Sequence, residues 1–85
     1  MTPAQARVLL DVLGGESEDR AGLVRPLLAR LPKLTPAQAR TARDSLSAAG
    51  VLLRDTALTQ TGRALAYRVG AALSRGQALP RLDEA

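Results

Sequence analysis

The sequence lacks cysteine and histidine altogether, and Tyr67 is the single aromatic residue among its 85 residues. These absences exclude disulfides, thiolate or imidazole metal sites, and every catalytic scheme that uses either side chain. The acidic residues show no recognised metal-ligand spacing, and Gly14-Gly15 is a turn signal, not a phosphate-binding loop. We therefore expect that the protein is not an enzyme and that it uses no cofactor and no metal ion.

Long apolar runs are also missing. No stretch approaches the roughly 18 apolar residues of a transmembrane helix, and the N-terminus has no basic region followed by an apolar core. We therefore expect a cytoplasmic protein with one small domain. The scarcity of aromatic residues argues against binding of single-stranded nucleic acid, which relies on base stacking. Tyr67 itself is expected to serve packing.

The charge is unevenly distributed along the chain. The formal net charge is +4. Residues 1–24 carry two arginines against four acidic residues, a net −2, whereas residues 25–75 carry nine basic residues against two acidic ones, a net +7. This asymmetry has two interpretations, an electrostatic footprint for nucleic acid or the solvated surface of an arginine-rich protein. We favour the footprint.

A strong helix signal begins at Thr35-Pro36. Threonine is a good N-cap, proline suits the first helical position, and Gln38 completes a capping box. Gly50 can adopt the left-handed conformation that ends a helix. The sequence thus predicts a helix over about 36–49. Its core-facing residues are expected at helical spacing: Ala39, Ala42, Leu46 and Ala49.

A short hairpin and a last helix follow. Apolar residues predict strands over about 51–54 and 57–58, joined at Asp55-Thr56, a pair with weak turn preference. Thr59 or Thr61 can cap the last helix. That helix is predicted over about 60–75 and is stopped by Gly76, with an apolar stripe of Leu65, Ala66, Val69 and Leu73. Gly62 lies on the same stripe, which predicts close approach of another backbone.

Two further helices are predicted before this stretch. Thr2-Pro3 repeats the start signals of the later helix and opens a helix over about 3–13, with a core stripe of Ala6, Leu9, Leu10 and Leu13. Val8 and Val12 form a second apolar stripe, either a wide core face or a dimer contact. The next helix is predicted over about 19–31, with Leu23, Val24, Leu27, Leu28 and Leu31 at helical spacing. Pro26 either kinks this helix or marks the first turn of a shorter one beginning near Val24.

The segment from Leu46 to Leu52, followed by Leu58 to Arg63, resembles the end of the recognition helix, the wing and the next helix of winged helix-turn-helix regulators. The nearest group is the MarR type. The resemblance implies a mainly helical winged-helix domain over residues 1–76. It also implies sequence-specific binding of double-stranded DNA by a small transcriptional regulator, with helix 35–49 in the major groove. The sequence departs from the MarR pattern in its very short wing and its truncated terminal helices.

The resemblance also implies which residues meet DNA. Bases are expected to be contacted by Gln38, Arg40 and Thr41, since glutamine suits adenine and arginine suits guanine. Phosphates are expected to be contacted by Arg30, Lys33, Thr35, Arg43 and Arg54.

Residues 77–85 form a tail that is expected either to be disordered or to dock through Leu79 and Leu82 on the first helix or on a partner chain. A homodimer through the first helix and the C-terminal region is one expectation, with Val8, Val12, Leu79 and Leu82 as its surface. The same four residues would mark the partner surface of the alternative function, a winged-helix protein-interaction module that does not bind DNA.

Overall fold

Four helices and one two-stranded hairpin make up the domain, as seen in a computed structural model that describes residues 1–54 and 57–82. The helices are α1 (Pro3–Gly14), α2 (Glu18–Leu28), α3 (Pro36–Ala48) and α4 (Gln60–Arg75), and the strands are β1 (Leu52–Leu53) and β2 (Ala57–Leu58). The mainly helical, winged-helix-like fold expected from the sequence is confirmed. The predicted turn at Asp55-Thr56 and the last three residues of the tail lie outside the described residues.

Helix α1 lies at the centre of the domain, and α2, α3, α4 and β2 all contact it. Its predicted stripe of Ala6, Leu9, Leu10 and Leu13 is fully buried. Val8 is also in the core, with only 5% of its surface exposed. Its assignment to a dimer or partner surface is therefore wrong. Because α1 is surrounded on several sides, the wide apolar face is the correct interpretation for Val8, and Val12 also packs against the core at partial exposure.

Helix α2 begins at Glu18, where the Ser17 side chain accepts a hydrogen bond from the Arg20 amide. Pro26 lies inside this helix, so the alternative of a shorter helix beginning near Val24 is wrong. The helix ends at Leu28, three residues earlier than predicted, and tighter turns continue the chain to Leu31. The early end follows from Pro32, which disfavours helical backbone in the residue before it.

Helix α3 has the predicted capping box, with Thr35 and Gln38 exchanging backbone and side-chain hydrogen bonds. At its other end Gly50 has φ +78°, and the Val51 amide donates to the Leu46 carbonyl at 3.0 Å. This is the glycine-terminated closure that the sequence predicted. Ala42 and Leu46 are buried and Ala39 is half-buried. Ala49 is exposed, contrary to expectation, because it caps the helix where the chain leaves the core.

The hairpin pairs Leu52 with Leu58 and Leu53 with Ala57 in antiparallel register. Strand β1 is shorter than predicted at both ends. Val51 is used instead to close α3, and Arg54 has a left-handed backbone with φ +59°.

Helix α4 is fastened to the end of α3 by the Thr59 and Gly62 pair. The Thr59 hydroxyl donates to the Gly50 carbonyl at 2.8 Å and accepts from the Gly62 amide at 3.0 Å. A Cβ on Gly62 would lie 1.9 Å from the Val51 carbonyl oxygen. The predicted close approach of another backbone at this glycine is confirmed, and so is the stop at Gly76, with φ +67°.

After α4 the chain turns back across the N-terminus. The terminal ammonium of Met1 donates to the Pro80 carbonyl at 3.0 Å. Leu79 and Leu82 are partly buried and pack against the hydrophobic core of the same chain. These two leucines therefore present only part of their surface to any partner.

Candidate nucleic-acid interface

The residues predicted to contact bases lie on the outer, exposed face of α3. Ala42 and Leu46 anchor the helix to the core, whereas Gln38, Arg40 and Thr41 are exposed on its N-terminal half. Within the described part of the chain, no hydrogen bond or ion pair engages the Arg40 side chain, so its guanidinium is available to an external acceptor. A bidentate contact to guanine or to a phosphate needs a guanidinium in this state.

The other two predicted base-contacting residues are partly engaged within α3. The Gln38 side-chain oxygen accepts from the Thr35 amide at 3.0 Å, and the Thr41 hydroxyl donates to the Ala37 carbonyl at 3.1 Å. Gln38 keeps its amide NH₂ for an outside acceptor, and Thr41 keeps its oxygen lone pairs for an outside donor. A paired contact from Gln38 to adenine would first require it to leave the capping box, because such a contact uses both the oxygen and the NH₂.

A concave surface of about 420 Å³ runs between α1, the connection after α2, and α3. We call it the basic groove and define it by Arg7, Asp11, Lys33 and Arg43, which line it together with apolar side chains. It brings together two of the predicted phosphate contacts, Lys33 and Arg43. Leu34, on the groove wall, packs against the core and fixes the turn that carries Lys33.

Arg7 contributes to this groove from α1, although no sequence pattern singled it out. Its Nη1 donates to the carbonyls of Leu28, Leu31 and Pro32 at 3.1, 3.2 and 3.4 Å. These are carbonyls left without helical partners where α2 ends. The guanidinium thus holds the α2–α3 connection against α1. Arg7 lies 21 or more residues before these carbonyls in the sequence. The contact is therefore evident only in the folded chain.

Asp11 is the acidic member of the basic groove. Its carboxylate lies 3.9 Å from the Arg7 Nε, and 53% of its side-chain surface is exposed. Burial raises the pKa of Asp11, and the nearby Arg7 charge offsets part of that effect. The carboxylate lowers the positive potential at the α1 wall of the groove, so the strongest cationic surface lies towards Lys33 and Arg43.

The remaining predicted phosphate contacts have different surroundings. Arg30 is exposed, and its Nη1 donates to the Leu73 carbonyl of α4, so it already has a structural partner. Thr35 is occupied in the capping box, which leaves the N-terminal amides of α3 only partly available. Arg54 is exposed at the hairpin, beyond the C-terminal end of α3. The structure therefore brings Lys33 and Arg43 together in the basic groove, whereas Arg30 and Arg54 do not line it. Arg40 is exposed on α3, three residues before Arg43.

Other arginines serve the fold. Arg63 of α4 donates from Nε to the Glu16 Oε1 at 3.2 Å, and its Nη2 donates to Glu16 Oε2. Arg20 pairs with the same carboxylate at 3.4 Å and donates from Nε to the Tyr67 hydroxyl at 3.1 Å. The Arg63 hydrogen bond lowers the pKa of Glu16, and Glu16 in turn raises the pKa of Arg63.

Comparison with protein-family models, with curated proteins and with solved structures gave no match to this chain. None of the helices among residues 1–54 and 57–82 is both long enough and apolar enough to cross a membrane. In the same residues, no three acidic side chains come together as a metal site.

Proposed function

We propose that the protein binds double-stranded DNA, with the N-terminal half of α3 in the major groove and the basic groove against the phosphate backbone. The observation that carries the proposal is the exposure of an unengaged Arg40 on a helix anchored by Ala42 and Leu46, while Lys33 and Arg43 line the basic groove along the same helix. The charge of +7 over residues 25–75 supports it, because phosphate binding depends on such an excess. A role as a small transcriptional regulator would agree with this activity and with a cytoplasmic location.

Within this proposal Arg40 reads a base, and Lys33 and Arg43 hold phosphates. Gln38 and Thr41 contribute single hydrogen bonds, since their other groups are used within α3. Arg54 can contact a DNA phosphate only when the hairpin lies along the duplex. Each phosphate neutralised contributes about −0.9 to the slope of log affinity against log salt. The three phosphate contacts, from Lys33, Arg43 and Arg54, predict a slope of about −2.7.

The test is binding of the purified protein to a labelled random-sequence duplex over a salt series. We expect the double variant Arg40→Ala, Arg43→Ala to bind at least about tenfold more weakly at low salt. It should lose about 0.9 from the salt slope, because Arg43 holds a phosphate whereas Arg40 reads a base. Selection of preferred sequences from the random pool would then give the recognised site.

The matched control is Arg25→Ala, Arg75→Ala, which removes the same charge from exposed arginines on α2 and α4. Its affinity should fall much less, because only the long-range field changes. Equal losses in the two double variants would mean that net charge, not α3, carries the binding. No binding at low salt by a folded wild-type protein would rule out the DNA function.

The alternative is a winged-helix module that binds another protein. The sequence assigned its surface to Val8, Val12, Leu79 and Leu82, but Val8 is buried and the other three are partly covered by their own chain. That surface therefore offers little apolar area. The exposed apolar residues Leu23 and Tyr67 lie on another surface, between α2 and α4.

A further inference from the structure

An apolar groove lies between α2 and α4, on a different surface from α3. Its floor is formed by Leu10, Leu13 and Leu27, and its rims carry Leu23 and Tyr67. Leu23 is 52% exposed and Tyr67 is 42% exposed, although the sequence predicted both to pack. We call this surface the α2–α4 groove. It joins buried leucines to two large, partly exposed side chains, so that the apolar surface continues from the core to the outside of the molecule.

The size of the α2–α4 groove favours a protein side chain as its occupant. Its volume is about 240 Å³, below the roughly 300–1,000 Å³ typical of small-molecule sites. Gly70, on its α4 wall, has no side chain to block a neighbour. Gly22, beside Leu23 on α2, is exposed, and a Cβ placed there would meet nothing within 4 Å. A second helix can therefore approach α2 closely.

We infer that the occupant is a second copy of this chain, related by a two-fold axis near Leu23. A two-fold interface must be complementary to itself, so it needs a protruding group and a recess on the same surface. Leu23 supplies the protrusion and the adjoining groove supplies the recess. In such a dimer the Leu23 of each copy would enter the groove of the other.

The charges on α2 favour the antiparallel arrangement that a two-fold axis imposes on this helix. Asp19 lies four residues before Leu23, and Arg30 lies seven residues after it, at the turn that follows the helix. Both residues are exposed. Arg30 donates from Nη1 to the Leu73 carbonyl of its own chain, and its other guanidinium N–H groups remain for a partner. Antiparallel pairing brings the acidic N-terminal end of one α2 towards the basic C-terminal end of the other, and the helix dipoles are then also opposed.

The dimer needs only part of the surface of this small chain. A standard interface covers roughly 800 Å² on each partner, about 15% of the total accessible surface of 5199 Å². This inference does not depend on DNA binding, because Arg40, Arg43 and Lys33 take no part in the α2–α4 groove.

The test is sedimentation equilibrium of the full chain without DNA, comparing wild type with Leu23→Glu and Leu53→Glu. Leu53 is the matched control, since it is 61% exposed on β1 and does not line the groove. We expect a reversible wild-type dimer, weakened at least about tenfold by Leu23→Glu and within about twofold of wild type for Leu53→Glu. A wild type that stays monomeric up to about 1 mM overturns the inference. So does a dimer that survives Leu23→Glu, or one weakened equally by both variants.

Disulfide trapping provides a second test that does not add a charge. The chain has no cysteine, so Leu23→Cys and Leu53→Cys each introduce a single thiol. Under mild oxidation we expect Leu23→Cys to form linked dimers faster, because a disulfide requires the two Cβ atoms to come within about 4.5 Å. Equal or faster linkage through Leu53→Cys would contradict a two-fold axis near Leu23. Circular dichroism verifies that each variant remains folded.

Discussion

Two glycines with opposite surroundings show what one added methyl group does in this domain. A Cβ on Gly62 would lie 1.9 Å from the Val51 carbonyl oxygen, and neither backbone can move without separating α4 from the end of α3. We expect Gly62→Ala to lower the free energy of unfolding by about 3 kcal/mol or more. Gly22→Ala meets open space within a helix and should raise that free energy by about 0.5–1 kcal/mol. Urea unfolding at low protein concentration measures both.

The two variants also test the packing of α4 directly. If Gly62→Ala unfolded at the same urea concentration as wild type, the contact between Val51 and α4 would not exist in solution. A destabilised Gly22→Ala would instead indicate that α2 is covered at that position.

The same residues explain what the winged-helix resemblance rests on. Gly50 closes α3, Thr59 caps α4 and reaches back to the Gly50 carbonyl, and Gly62 lets α4 meet Val51. Each part of the motif thus has a structural task at the junction of α3, the hairpin and α4. The motif therefore predicts the fold, while the function has to be argued from Arg40 and its neighbours.

At the scale of the element, α3 uses Gln38 both to cap its own N-terminus and to face outward. Gln38→Glu separates the two tasks, because glutamate completes a capping box as well as glutamine but has no NH₂ donor. We expect the variant to match wild type in thermal stability and to bind DNA at least about tenfold more weakly. Titration of the duplex at fixed salt measures the affinity, and thermal unfolding measures the stability.

The chain contains its own control for this change. Gln5 completes the same capping box at the start of α1, is half-buried, and lines the same shallow surface as Gln38 and Thr41. Gln5→Glu adds the same charge nearby and should weaken binding less. If the two variants lost equal affinity, general repulsion of phosphate would explain both, and Gln38 would have no direct contact.

Local patterns were sufficient to predict where most elements begin and end. The caps at Thr35 and Thr59 and the stops at Gly50 and Gly76 depend on a few neighbouring residues, and all four are confirmed. The early end of α2 could have been read from Pro32, since the restriction it imposes is also local. The exposure of Arg40 was also predictable from helical spacing, because Arg40 lies off the face of α3 that carries Ala42 and Leu46.

Predictions failed where the answer depended on which surfaces the other elements cover. Val8 is buried because α1 is central, and Leu23 is exposed because α2 turns that side away from the core. Neither fact is contained in the spacing of one helix. The role of Arg7 in the basic groove was not predicted for the same reason, because the carbonyls to which it donates lie at the end of α2.

On the scale of the whole molecule, the uneven charge of the sequence becomes an uneven surface. The acidic Glu16 lies between α1 and α2 and pairs with Arg20 and Arg63, so it offsets the charge of these two arginines. Lys33 and Arg40 have no such partner within the described residues. Their charges therefore remain available at the proposed DNA surface, where they would attract a duplex.

The Glu16 cluster also makes the stability of the whole domain depend on pH. Because the Arg63 hydrogen bond lowers the pKa of Glu16 in the folded chain, the pair stabilises the fold at neutral pH, and this stabilisation is lost as the pH falls through the lowered value. We expect Glu16→Gln to unfold at lower urea concentration than wild type at pH 7. The difference should shrink as the pH falls below 4.5, the ordinary value for glutamate, and should vanish once the pH lies below the lowered pKa of Glu16.

Glu18→Gln is the matched control for this measurement, since Glu18 is exposed at the start of α2 and has no ion pair in the described part of the chain. Its effect at pH 7 should be smaller than that of Glu16→Gln. The pH dependence is the decisive readout, because a purely steric defect in the variant would lower its stability equally at every pH. A constant difference between wild type and Glu16→Gln from pH 7 to below the lowered pKa of Glu16 would therefore show that the carboxylate charge does not link α4 to the α1–α2 turn.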